Sequence, residues 1–157
     1  NRSEEFSARI TMLKSIPGIN DVWACIITAE VGPFDRFPNA DTIEFWAGLT
    51  PDNKESAGRT QSGRITKAGS PTLRWALWQA AMSLCRSDVR QDAVMQRLVK
   101  RIGKVKANVA MGRRLLRIIY AMMRDGTLYE RSEPTDRLKR NIKKARYAKR
   151  NKKKEVA

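Results

Sequence analysis

The densest run of reactive side chains in this 157-residue sequence lies between Glu55 and Arg74, where Ser56, Arg59, Ser62, Arg64, Thr66, Lys67 and Arg74 are interleaved with Gly58, Gly63 and Gly69. Glycines beside a serine let a polyanionic backbone come close, and nearby cations ease loss of the hydroxyl proton and stabilise charge building on phosphoryl oxygens. From Ser56 to Ser87 there are five basic residues and no acidic one. Such a run suits serine attack on a phosphodiester. A loop that only grips phosphates has the same composition, so the residue chemistry leaves both readings open.

Other chemistries are excluded more firmly. The chain has no histidine, which removes Ser-His-Asp and Cys-His nucleophile arrangements and most transition-metal sites. The carboxylates are scattered, with no paired spacing that would hold two metals, so no metal site is expected in this chain. Cys25 and Cys85 stand 60 positions apart in apolar helical stretches, without a CxxC, and are read as buried structural thiols. Tyr120 and Tyr129 lack the histidine and arginine setting of a tyrosine recombinase. Trp75 and Trp78 could stack on bases, but their apolar neighbours favour packing in the core.

Charge locates the partner. Residues 1–55 carry five basic and nine acidic side chains, whereas 56–157 carry 27 basic and seven acidic, so a formal charge of +16 is concentrated in the second part. That asymmetry reads as a scaffold followed by a polyanion-binding surface, with nucleic acid as the leading partner. Between residues 93 and 124 there are nine basic residues and no acid, which reads as a phosphate-tracking surface. No stretch approaches the roughly 18 apolar residues of a membrane span, and no signal sequence opens the chain, so a soluble cytoplasmic, nucleoid-associated protein without membrane contact is expected. Asn1 in place of Met reads as a fragment or processed form of a longer protein.

The elements that must position these residues read as an all-α fold: one helical domain over 1–130 with an N-terminal helix-hairpin-helix-like element, a long basic loop, and a basic tail over 131–157. Phe6, Ile10 and Leu13 share a helix face over 3–14, and Ile16-Pro17-Gly18-Ile19 ends it. A second helix runs to about Val31. In a helix-hairpin-helix the glycine, here Gly18, brings backbone amides to a phosphate; an ordinary helical turn has the same pattern. Asn39 caps a third helix whose apolar side is Ile43, Phe45, Trp46 and Leu49. Pro51 to Ser70 has no periodicity and reads as a functional loop. Ser70-Pro71 starts a central buried helix through Leu84, followed by helices at 88–102 and about 104–123. The tail holds 12 Lys and Arg against three acids and would add salt-dependent affinity for nucleic acid.

Taken in order, Ile16-Pro17-Gly18-Ile19, Phe37-Pro38-Asn39-Ala40-Asp41, Trp46-Ala47-Gly48-Leu49-Thr50-Pro51, Gly63-Arg64-Ile65-Thr66-Lys67-Ala68-Gly69, Leu73-Arg74, Gln79-Ala80-Ala81 and Lys106-Ala107-Asn108-Val109-Ala110, with Leu115-Leu116 and Ile118-Ile119-Tyr120, resemble the insertion-sequence one-ten family of transposases over about residues 10–130. The resemblance implies the C-terminal, serine-bearing part of a two-part recombinase. The other part would be a RuvC-like domain whose acidic tetrad binds magnesium. No cofactor belongs to this chain itself. The family serine precedes the Gly-Arg-Ile-Thr-Lys run, which points to Ser56; Ala57 stands where the family has glycine, so Ser62 is the reserve. Gly18, Gly58, Arg59, Arg64, Thr66, Lys67 and Arg74 are then the DNA-binding set. The resemblance further implies a bridge RNA partner, a homo-oligomer of the full-length protein, and a chain that binds DNA yet cleaves it poorly without the metal-binding domain. A non-catalytic nucleic-acid-binding module is the alternative.

Overall fold

The apolar spacings of the first thirty residues wind into α1 (Arg2–Lys14) and α2 (Asp21–Val31), in a computed structural model that describes residues 2–56 and 59–131, with side chains over 3–51 and 65–131. Asn20 caps α2, its side-chain oxygen accepting from the Trp23 amide at 3.0 Å. Across the turn, Lys14 Nζ lies 2.6 Å from Asp21 and holds that exposed carboxyl below its usual range through a hydrogen bond and its charge. A 3-10 turn at Phe34–Arg36 leads to α3 (Ala40–Trp46), capped by Asn39, which accepts from the Thr42 amide at 2.9 Å. The three helices expected here are present, and Asn39 caps the third as the sequence predicts.

The second half is built on α4 (Pro71–Ser87), α5 (Val89–Ile102) and α6 (Lys104–Asp125). Ser70 Oγ accepts from the Leu73 amide at 3.2 Å with Pro71 as first helical residue, as the sequence predicts. Helix α4 packs against α2, α5 and α6, and α6 also meets α1 and α3. Leu13, Ile16, Ile27, Ile43, Leu73, Leu77, Leu84, Met111, Leu115, Leu116 and Ile119 are fully buried between them. No described helix is long and apolar enough to cross a membrane.

The fold class is all-helical, with one local difference. The stretch expected as a loop from Pro51 forms an antiparallel hairpin, β1 (Pro51–Ser56) and β2 (Arg59–Ile65). Its sequence has no alternation of apolar and polar residues, which is the pattern that marks a strand in sequence. Two side-chain expectations are also corrected. Trp75 and Trp78 are 50% and 38% exposed, because Leu73, Ala76, Leu77, Ala80, Ala81 and Leu84 form the buried side of α4 and leave the two indoles on its flank. Cys25 is exposed on α2, beside the buried Ala24, while Cys85 is buried as expected and burial pushes its thiol up to about 11.

The segment after α6 closes the helical body. The Tyr129 amide donates to Ser15 Oγ at 2.9 Å and its hydroxyl donates to Asp88 Oδ2 at 2.9 Å. The other oxygen of Asp88 caps α5 by accepting from the amides of Arg90 and Gln91. The Arg131 guanidinium bonds the carbonyl of Ser87. Residues 132–157, nearly all of the basic tail, lie outside the described residues.

Candidate nucleic-acid interface

The serine-bearing run hangs between α3 and α4, and close approaches at two glycines decide how it is held. Ala47 caps α3, and Gly48 turns the chain with φ of 67°, a left-handed conformation that suits glycine. A Cβ on Gly48 would come within 2.7–2.9 Å of the backbone of Lys67, Ala68 and Gly69. A Cβ on Gly69 would strike the carbonyl of Trp46 and the backbone of Ala47. The Thr66 amide donates to the Thr50 carbonyl at 3.0 Å and the Lys67 amide to the Gly48 carbonyl at 3.2 Å. Arg74 then spans both sides, its Nη1 donating to the carbonyls of Gly69 at 2.5 Å and Ala47 at 3.3 Å. These contacts form a clasp at the base of the hairpin, and they join the Trp46–Pro51 motif to the Gly63–Gly69 motif.

Above the clasp, strand register pairs Ser56 with Arg59, Glu55 with Thr60, Lys54 with Gln61, and Asn53 with Ser62, with an irregularity between Pro51 and Asn53. Ser56 is the last residue of β1 and Arg59 the first of β2. Because successive strand residues alternate between faces, Ser56 and Arg59 share one register face and Ser62 belongs to the other. Gly58 and the side chains of Ser56, Arg59, Ser62 and Arg64 lie outside the described residues.

The remaining expected DNA contacts divide. Lys67 is exposed and holds φ of 56°, a left-handed conformation in a non-glycine residue imposed by the clasp. Among the described residues Thr66 Oγ1 is enclosed with no hydrogen-bond partner, as is Thr50 Oγ1 beside it. The Arg74 guanidinium is engaged by two carbonyls of the clasp. Gly18, with φ of 91°, permits a close approach, but the neighbour is α4: a Cβ there would meet Ser83 Cβ at 2.6 Å. The structure thus gathers Lys67, Thr66 and Arg74 at the hairpin base and leaves Gly18 at the α1–α2 turn on α4.

The basic stretch from 93 to 124 also divides, and this refines the expectation of one continuous phosphate-tracking surface. Arg113 Nε lies 2.5 Å from Oε2 of fully buried Glu44, and Arg117 Nε lies 2.5 Å from Oε1 of the same carboxylate. The Arg117 contact is an ion pair without hydrogen-bond alignment, which leaves Oε1 without a hydrogen-bond donor among the described residues. Arg117 also pairs with Asp41, Arg114 donates to Gln91 Oε1 at 2.9 Å, and Arg124 pairs with Asp125. Lys100, Arg101, Lys104 and Lys106 have no ion pair among the described residues and are exposed around Gly103, at the corner where α5 gives way to α6. The sequence reading did not anticipate Asp41 and Glu44 as partners of α6; their i,i+3 spacing on α3, opposite Arg113 and Arg117 at i,i+4, was the available signal.

Among the described residues no three acidic, histidine or cysteine side chains cluster. The hydroxyls of Tyr120 and Tyr129 are committed to the Phe37 carbonyl and to Asp88, and burial raises the Tyr129 hydroxyl above its ordinary range.

Comparison with known proteins gives a consistent result. The profile described as the transposase IS116/IS110/IS902 family matches residues 10–96. The chain is 29% identical over 125 residues to the 43.6 kDa protein of insertion element IS110 from Streptomyces coelicolor, covering 78% of this chain and 31% of that protein. It is 27% identical over 115 residues to the transposase for insertion sequence element IS1111A of Coxiella burnetii, covering 71% of this chain and 32% of that protein. To the pilin gene-inverting protein of Moraxella bovis it is 30% identical over 137 residues, covering 83% of this chain and 42% of that protein. The chain therefore spans about a third of the length of the first curated relatives it matches.

Proposed function

Because the chain belongs to the IS116/IS110/IS902 family of transposases, we propose that it is the serine-bearing part of a DNA recombinase, in which Ser56 is the nucleophile. The observation that carries this reading is the register of the hairpin, which ends β1 at Ser56 directly opposite Arg59. In the proposed step the Ser56 hydroxyl loses its proton and its oxygen bonds to phosphorus. The existing P–O bond of the DNA strand breaks, and the departing oxygen takes a proton. A covalent serine–DNA ester conserves the bond for later strand exchange.

Arg59, Arg64 and exposed Lys67 would bind the scissile and flanking phosphates, Gly58 would let the backbone approach, and Thr66 and Arg74 would hold the hairpin base. Magnesium would be bound by acidic residues of a RuvC-like domain outside this chain. A bridge RNA, self-association, and a location with the bacterial nucleoid belong to the same reading of the full-length protein.

The test compares full-length wild type, Ser56→Ala and Ser62→Ala with guide RNA, magnesium and labelled target and donor DNA, scoring protein–DNA adducts on denaturing gels. Loss of adduct in Ser56→Ala alone is the expected result. Loss only in Ser62→Ala moves the nucleophile to the other register face. Adducts unchanged in both variants, or absent from wild type, favour a module that binds nucleic acid without reacting.

A further inference from the structure

The two indoles left on the flank of α4 open onto a hollow that no part of the proposed reaction uses. A cavity of about 210 Å³ is lined by Leu49, Ile65, Trp75, Trp78, Val109 and Gly112, together with the polar Arg74 and Asn108. A second hollow of about 490 Å³ adjoins it, sharing Trp78 and Asn108 and bearing Arg86, Lys104 and Asp92. Drug-sized ligands fill roughly 300–1,000 Å³, so the first cavity suits one flat ring system rather than a larger molecule.

Its chemistry is specific. Oδ1 of Asn108 is enclosed and has no hydrogen-bond donor among the described residues, a costly state for an amide oxygen unless an incoming group supplies an N–H. Trp75 is fixed by an edge contact to Trp23, with centroids 4.8 Å apart at 72°. Trp78 has no ring partner among the described residues and is 38% exposed. An exposed indole beside an orphan acceptor, with cations at the rim, is what a nucleobase needs: a face to stack on and an oxygen for its edge. Every base carries a Watson–Crick-edge N–H that is fully free only when the base is unpaired.

Position joins this hollow to the hairpin, since Ile65 is the last residue of β2 and Arg74 belongs to the clasp. We propose that the hollow between α4 and α6 receives one unstacked nucleobase of the DNA strand held by the hairpin, the base lying on Trp78 with an edge N–H donated to Asn108 Oδ1. The proposal rests on the reading that the hairpin engages DNA. It assigns Trp78 and Asn108 to holding the strand open beside the reacting phosphate, and Lys104 and Arg86 to the phosphates that flank the captured base.

The test measures binding of the full chain to duplex DNA carrying one unpaired 2-aminopurine, against the same duplex with an abasic residue at that position. Wild type should bind the base-bearing duplex roughly five- to hundred-fold more tightly, as expected for stacking of one base, and should quench 2-aminopurine emission. Trp78→Leu and Asn108→Leu should bind both duplexes with the abasic affinity. Equal binding of the two duplexes by wild type overturns the proposal while leaving the hairpin reading intact, and needs no variant to fold. A preference retained by Trp78→Leu also overturns it. A base preference seen only when the unpaired nucleotide is in an RNA strand overturns the assignment to DNA, and a dimer that Trp78→Leu dissolves overturns it in favour of a second copy. Failure of wild type to bind any duplex overturns the hairpin reading and this proposal with it.

Discussion

Arg113 Nε lies 2.5 Å from Glu44 Oε2 across 69 residues of sequence, and the two partners are unequally exposed, 36% against 0%. The pair ties α3, and with it the clasp that begins at Ala47, to the middle of α6. Its energetics should be lopsided for that reason. Removing the carboxylate leaves two arginines that water can reach, whereas removing the arginines strands a buried charge.

Glu44→Gln is therefore expected to cost about 1 kcal/mol of folding stability, and the double substitution of Arg113 and Arg117 by Met about 3–5 kcal/mol. Urea denaturation of the three proteins measures both. Equal costs would mean that Glu44 is solvated in solution and that the ion pair does not anchor α3.

The clasp makes a second prediction. Gly48→Ala combines a φ of 67° with contacts under 3.0 Å to backbone that cannot yield, so a loss of at least about 1–3 kcal/mol is expected. Gly126, with φ of 66° and ψ of 25° in the ordinary left-handed helical region and nothing within 4 Å of where a Cβ would stand, should lose only about 1 kcal/mol on the same substitution. Thermal melts separate the two. In full-length protein, Gly48→Ala should also abolish serine–DNA adducts at temperatures where the domain remains folded.

Salt dependence should distinguish the two sets of cations on α5 and α6. Replacing Lys100, Arg101, Lys104 and Lys106 with Gln should flatten the slope of log affinity for DNA against log salt by about two to four. Replacing Arg113 and Arg117 should leave the slope unchanged, because they already face acids within the domain. An unchanged slope in the first variant would remove the α5–α6 corner from the interface.

The thiols give a pH prediction. Cys85 is held up to about 11 by burial, against 9.0 when unfolded, so the unfolded chain releases its proton first as pH rises. Stability from this group is complete below pH 9 and declines between about 9 and 11, by on the order of 2 kcal/mol. Cys85→Ala should lose less stability over that window than wild type. At neutral pH an alkylating reagent should label exposed Cys25 alone, and labelling of both thiols in the native protein would show that α4 and α5 open readily.

How much of this was readable in advance follows from which interactions are local. Asn20, Asn39 and Ser70 cap their helices through contacts three residues away, and the glycines and prolines between helices act within one turn, so the helices were legible. The hairpin was not, because its strands present no alternation of apolar and polar residues. Trp75 and Trp78 were misplaced because α4 is apolar on most sides, and composition alone cannot say which flank its neighbours leave uncovered. Asp41 and Glu44 lie 76 and 69 residues from their arginine partners, a separation at which charge counting along the chain reads them as excess acid rather than as counter-ions. For the candidate site, the motifs that form the clasp were recognised separately, but their interlocking through Gly48, Gly69 and Arg74 depends on tertiary approach.

The closure at Tyr129 bears on how force travels through the domain. Ser15, Asp88 and Ser87 all bind the segment 129–131, so tension arriving along the chain beyond Arg131 is delivered to the ends of α1, α4 and α5. The hairpin branches from α3 and the start of α4, away from that line of load. A pull on the tail would thus be borne as shear across the helical body, with the serine-bearing strands mechanically insulated until the knot gives way.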